Sequence, residues 1–332
     1  MKNIIFNLFL TLAFCQNNFG QYTDVINSNR PGESMSAYGV GKKIIQVESG
    51  INYVSTKHDL LDYETKGINL DLVARYGFFT EELEFIGALN LQSDKYTDNF
   101  NPFNSIEEQR TGIKAISVGL KYLVFDPFKN YEEKIDLHSW KANHKFKWRQ
   151  FIPAVSVFAG TSFNLKSNKF ISENEKISMF SPKVMLITQN IFTKGYVFVT
   201  NIFYDKITND HKTLGYVATL TKGFNDKWTG FIENKAVSSD FYADAIVTVG
   251  AAYLISKNIQ LDASISKNFK NTPDIIYGGI GFSWRNDKNY KPVKYSRAKE
   301  GKKDKKDKKD TKKEEKTKSK KRIDEVDLEK TK

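Results

Sequence analysis

The 332-residue chain holds one cysteine and four histidines. Apart from its first twenty residues, it has no apolar run approaching the ~20 residues that cross a bilayer as a helix. Cys15 lies within those first twenty residues. A chain cut after Gly20 therefore carries no disulfide, no thiolate nucleophile and no thiolate metal site. The residue before Cys15 is Phe14, where a lipidated cysteine would want a small one. His58 and His211 fall in expected loops, and His138 and His144 fall in a long connection. None is placed on a strand beside a serine, as a barrel hydrolase requires. No histidine and carboxylate spacing suggests a metal site, and no glycine-rich phosphate loop is present. These absences point away from an enzyme and from any cofactor.

Residues 1–20 read as a secretory signal. Lys2 supplies the positive start, Ile4 to Phe14 is a short apolar run, and Asn18 and Gly20 precede a cut before Gln21. An exported chain with 25 Phe, 16 Tyr and 4 Trp must still place its aromatics somewhere.

The last hairpin, Asn258 to Arg285, shows where. Ile259, Leu261, Ala263 and Ile265 alternate with Gln260, Asp262, Ser264 and Ser266. Ile276, Ile280, Phe282 and Trp284 alternate with Tyr277, Gly279, Gly281 and Ser283. A period of two puts one set on each face of a strand. The same pattern recurs over Lys43–Val54, Gly67–Phe79, Glu82–Gln92 and Thr111–Phe125. Further candidates are Gln150–Leu165, Thr213–Gly223, Lys227–Lys235 and Tyr242–Leu254, with Ile177–Ile191 and Tyr196–Tyr204 alternating poorly. This predicts an all-β fold, a transmembrane antiparallel up-and-down β-barrel of about 12 strands. Most alternate connections are short, such as Phe79–Glu81, Phe192–Gly195, Phe224–Asp226 and Ile255–Lys257, as in membrane barrels. The domain plan is a signal over 1–20, a periplasmic or lumenal lead-in over 21–42, a barrel over 43–285 and a tail over 286–332. Residues 126–149 form a long periplasmic insertion carrying Phe128, Tyr131, Trp140, Phe146 and Trp148.

Two sets of residues stand out. Tyr76, Phe78, Tyr122, Trp228, Tyr253 and Trp284 lie on apolar faces near one end of their strands, the position of an aromatic girdle at headgroup level. Glu48, Arg75, Glu84 and Lys121 lie on lumen faces of the first four strands with alternating sign. Arg285 is expected to extend that row across the closure, and Glu233 and Asp262 add acid opposite. The row reads as a structural latch or as a selectivity ring.

Residues 286–332 hold twenty Lys and Arg against eleven Asp and Glu, a net of +9 within a chain of +12. Repeats such as Lys302-Lys303-Asp304 and the lack of apolar residues between Ala298 and Ile323 predict a disordered basic tail. In the periplasm its candidate partners are anionic lipid headgroups or cell-wall carboxylates, not nucleic acid.

Several short pieces carry a resemblance: Arg30-Pro31 with Glu33-Ser34, QVESGINY at Gln46–Tyr53, GLKY at Gly119–Tyr122, FIE at Phe231–Glu233, QLD at Gln260–Asp262 and GIGFSWR at Gly279–Arg285. With them the chain resembles the family described as "Putative MetA-pathway of phenol degradation". The resemblance implies an outer-membrane, transporter-like barrel. Two function classes follow: a passive channel for small solutes, apolar or aromatic ones included, embedded in outer-membrane lipid; or a structural barrel with a closed lumen whose tail binds a partner. The position of residues 21–42 discriminates them, since an open lumen favours the first and a plugged one the second.

Overall fold

The computed structural model describes residues 25–99, 105–129, 148–165, 168–170, 178–192, 195–209, 212–240, 242–288 and 290. The expected signal, nearly all of the 126–149 insertion with His138 and His144, His211, and the tail from residue 291 lie outside the described residues.

Twelve strands account for most of the chain. They are β1 (Ile45–His58), β2 (Tyr63–Gly77), β3 (Leu83–Asp98), β4 (Ile106–Phe125), β5 (Ala154–Phe163) and β6 (Phe180–Phe192), then β7 (Tyr196–Asp205), β8 (Thr213–Gly223), β9 (Trp228–Ser239), β10 (Ala243–Ser256), β11 (Ile259–Asn268) and β12 (Asp274–Asn286). Every strand pairs antiparallel with its neighbours in sequence, and β12 returns to β1. The closing register runs from Ile45 opposite Asn286 to Lys57 opposite Asp274. Closure leaves no strand with unpaired backbone groups, which a hydrocarbon environment requires.

The alternation sets which side chains face out. Ile51, Tyr53, Ile68, Ile202, Leu220, Ile232, Ile265 and Ile280 are all exposed. They surround the wall with an apolar surface that water would not tolerate at this extent and that lipid covers. The fold is therefore a transmembrane β-barrel.

Three departures from the sequence pattern have physical causes. First, β1 to β4 run further than their hydrophobic alternation, and the expected loops at 55–66 and 93–110 are largely paired strand. Their outer ends are polar, so no apolar period marks them, yet cross-strand ion pairs hold them: Arg110 with Asp94 at 2.9 Å and Lys95 with Glu107 at 2.7 Å. His58 thereby ends β1 instead of sitting in a loop, and its Nδ1 accepts from the Leu61 N–H at 3.1 Å. Second, β6 and β7 alternate poorly because both of their faces are apolar. Val184, Leu186 and Ile202 face out, while Met185, Ile187, Val199 and Phe203 are buried inside. Third, a 3-10 turn at Trp148–Phe151 precedes β5, where strand was expected from Gln150.

What β6 and β7 pack against inside is the lead-in. Residues 26–40 run through the lumen, with Ile26, Ala37, Tyr38 and Val40 buried. Ala37 and Tyr38 join Leu123, Ala154, Phe158, Met185, Ile187, Phe203 and Val217 in one apolar cluster. The chain then leaves the lumen through a tight turn into β1. Gly41 has φ +96°, a conformation open to glycine at no steric cost. Lys43 N–H donates to the Gly77 carbonyl at 2.9 Å, and Gly77 N–H donates to the Ile44 carbonyl at 3.0 Å.

Candidate functional site in the lumen

A backbone segment inside a lumen must find partners for its amides and carbonyls, because leaving them dry and unpaired is costly. The inward charges on β1 to β4 supply the carbonyl side. Arg75 on β2 forks onto Glu84 of β3 through Nε and Nη2. Its Nη1 donates to Glu48 of β1 at 3.0 Å and to the Asn27 carbonyl at 2.9 Å. Lys121 on β4 uses its three donors on Glu84 at 2.8 Å, on the Ser36 carbonyl at 2.9 Å and on the Tyr38 carbonyl at 3.0 Å. Arg75, Glu84 and Lys121 are 0 % exposed. The four residues thus meet as one cluster, and its cations hold the lead-in.

The opposite wall supplies the amide side. Glu233 on β9 accepts from the N–H of Glu33 at 2.9 Å and of Ser34 at 3.2 Å, and from Thr219 at 2.6 Å. Asn201 on β7 accepts from the Met35 N–H and donates to the Met35 carbonyl at 2.9 Å. Gln189 on β6 accepts from the Ser36 hydroxyl at 2.8 Å and the Ala37 N–H at 2.9 Å. Ser156 on β5 donates to the Ala37 carbonyl at 2.6 Å. Lys235 meets the Glu33 carboxylate at 2.6 Å.

Arg285 bonds elsewhere than with the row it was expected to extend. The register puts Ser283 opposite Glu48, and Gln46 opposite Arg285. Arg285 reaches toward the lead-in end of the barrel, donating to Asn258 at 3.0 Å and to the Val25 carbonyl at 3.1 Å, with Asp287 at 3.7 Å. Asp262 faces Arg30 of the lead-in at 3.4 Å.

Tyr76, Phe78, Trp228 and Trp284 are exposed on the outer wall at the end where the lead-in enters β1, and Tyr122 and Tyr253 are half-buried there. Tyr76 and Phe78 rings lie 6.0 Å apart, and those of Trp228 and Tyr253 4.8 Å. Phe79, Phe125, Trp148, Phe151 and Phe224 are exposed alongside. Just inside this end, Glu81 accepts from the Lys42 N–H at 3.0 Å, and burial pushes its carboxyl above the ordinary range.

The lead-in does not fill the lumen. A vestibule of about 660 Å³ opens on the far side, between the polar wall of Asn52, Asn69, Asp71 and Asn90 and a floor that includes Met35, Phe158 and Met185. A second cavity of about 230 Å³ lies at the lead-in end beside Val197, Thr221 and Thr229. Asn29, Arg30, Pro31 and Gly32 line both. Among the described residues no group of three His, Cys, Asp or Glu side chains could hold a metal ion.

Sequence reasoning missed Asn201, Gln189, Arg30 and Lys235. A signal was available for Asn201, which with Thr200 breaks the apolar stretch from Val197 to Phe203, whereas Gln189 lies between Thr188 and Asn190 and does not stand out.

Among solved structures, the chain is similar to an outer membrane channel from Pseudomonas putida F1, at 10 % identity and a TM-score of 0.46, covering 78 % of this chain and 100 % of that one. It is also similar to the NanC porin, at 11 % identity and a TM-score of 0.41, covering 70 % of this chain and 98 % of that one. The CymD monoaromatic hydrocarbon channel matches at 10 % identity and a TM-score of 0.39, covering 73 % of this chain and 88 % of that one. No curated protein matches the sequence. The family described as "Putative MetA-pathway of phenol degradation" matches residues 28–286, nearly the whole lead-in and barrel, and the chain belongs to it.

Proposed function

We propose that the protein is a passive outer-membrane channel for small solutes, narrowed by its own lead-in. The observation that carries this reading is the divided lumen. Two cavities approach from opposite ends, and one stretch of chain, 29–32, lies between them. A barrel built only as a scaffold has no need of a vestibule. The apolar floor against a polar wall supports solutes with an apolar body, and the family description, which concerns phenol breakdown, supports aromatic ones.

The wall's exposed apolar band supports placement in lipid, and the signal-like residues 1–20 support export to the outer membrane. β1 starts and β12 ends at one end of the barrel. We read the aromatics at that end as a girdle at the periplasmic face, and the basic sequence from residue 291 as a periplasmic partner for anionic headgroups or cell-wall carboxylates. Glu48, Arg75, Glu84 and Lys121 act as a structural mooring for the lead-in. The protein performs no chemistry on its solute.

One observation favours the second reading, a structural barrel with a closed lumen: the lead-in's backbone is bonded on both sides. Conductance of the full chain in planar bilayers separates the two. Discrete conductance steps support the channel, and a silent, correctly folded barrel supports the scaffold.

A further inference from the structure

We propose that Arg30 is the residue that sets the charge preference of the passage between the two cavities, with Asp262 as its counter-charge. This deepens the channel reading and rests on it. Arg30 belongs to the only stretch, 29–32, whose residues line both the vestibule and the lower cavity among the described residues. A solute that moves from one to the other passes its side chain.

The wall is built around that side chain. Gly50 on β1 lies opposite Gly281 on β12, and Gly281 lies opposite Asp262 on β11. A Cβ placed on either glycine would run into the Arg30 guanidinium. Two facing glycines at the closing seam thus form a slot for the guanidinium, with a carboxylate at its edge. Asp262 lies 3.4 Å from Nη2. Neither of its oxygens has a hydrogen-bond partner, and Arg30 Nε has none. The link is therefore a buried ion pair without the fork geometry that makes an arginine–carboxylate contact strong.

The rest of the partition adds little charge of its own to the passage. The Arg30 N–H donates to Ser28 at 3.0 Å, and its carbonyl accepts from Gln260 at 3.2 Å. Pro31 and Gly32 carry no polar side chain. Glu33 is neutralised by Lys235 at 2.6 Å. Glu233 is held by the Glu33 and Ser34 amides and Thr219, and Glu48 by Arg75. Arg30 and Asp262 are then the opposed charge pair beside the passage, and removing either shifts the balance toward the other.

The test uses the full chain and two substitutions, Arg30→Met and Asp262→Asn, with Arg30→Lys as the charge-conserving control. Reversal potentials across a potassium chloride gradient should move toward cations in Arg30→Met and toward anions in Asp262→Asn, with Arg30→Lys close to wild type. Shifts of the same sign, or none, in a barrel that conducts would overturn the proposal. A wild-type barrel that does not conduct removes the channel reading instead, and a second measurement then decides the inference. Ser34 lines the lower cavity, and a Ser34→Cys variant that also carries Cys15→Ser has one thiol. Its labelling by cationic and anionic methanethiosulfonates reports local potential without any flux. Arg30→Met should raise the cationic-to-anionic rate ratio on the order of tenfold, the effect of one unit charge nearby in a partly wet site. An unchanged ratio would contradict the assignment.

Discussion

The two halves of the lumen hold the same segment by different physics. On the β1 to β4 side, Arg75 and Lys121 grip the carbonyls of Asn27, Ser36 and Tyr38 while neutralising Glu48 and Glu84. On the β5 to β8 side, Phe158, Met185, Ile187, Phe203 and Val217 pack against Ala37 and Tyr38. There the polar contacts are neutral amides and hydroxyls. Buried charges are harsh when one partner is lost, whereas apolar packing fails gradually. The comparison shows why a barrel can fix one face of an internal strap firmly and leave the other adjustable.

The sharpest way to break the comparison is on the charged half. Arg75→Met removes the cation between Glu48 and Glu84 and leaves the Asn27 carbonyl with Gln46 as its donor. We expect a loss of about 3–5 kcal/mol in a denaturant titration of the refolded barrel. Glu84 keeps Lys121 at 2.8 Å, so Glu48→Gln should restore more stability than Glu84→Gln. Equal restoration by both would mean that Lys121 does not hold Glu84.

On the apolar half the expected effects are smaller. Phe158→Ala should cost about 3 kcal/mol in the same titration, from lost burial and the cavity left beside Met35 and Ala37. Its ring also covers the backbone at Gly119 and Gly160. A loss as large as that of Arg75→Met, rescued by no neighbouring charge change, would erase the distinction between the halves. Ser156→Ala removes one neutral hydrogen bond to the Ala37 carbonyl and should cost about 1 kcal/mol. A cost well beyond that would place Ser156 with the charged mooring.

The barrel itself was legible in the sequence, and the mooring only partly so. Period-two alternation gave the twelve strands and their faces because lipid makes a strict demand on every second residue. It failed at the outer ends of β1 to β4, where water on both sides removes that demand and ion pairs such as Lys95 with Glu107 do the joining. It weakened at β6 and β7, where the lead-in makes the inner face apolar too. Glu48, Arg75, Glu84 and Lys121 were readable as inward charges of alternating sign. Their second task was not, because the groups they hold are backbone carbonyls, which every residue carries alike. Arg285 illustrates the limit. Strand order made it a neighbour of β1, but the register that sends it to Asn258 and Asp287 is set by pairing.

The central claim is that the lead-in, not the barrel wall, narrows the lumen. The direct measurement compares single-channel conductance of the full chain with that of a chain lacking residues 26–40, both folded and inserted in planar bilayers. The account predicts a severalfold larger conductance, with weaker ion preference, for the shortened chain. Identical conductance in the two would place the constriction in the wall and contradict the account.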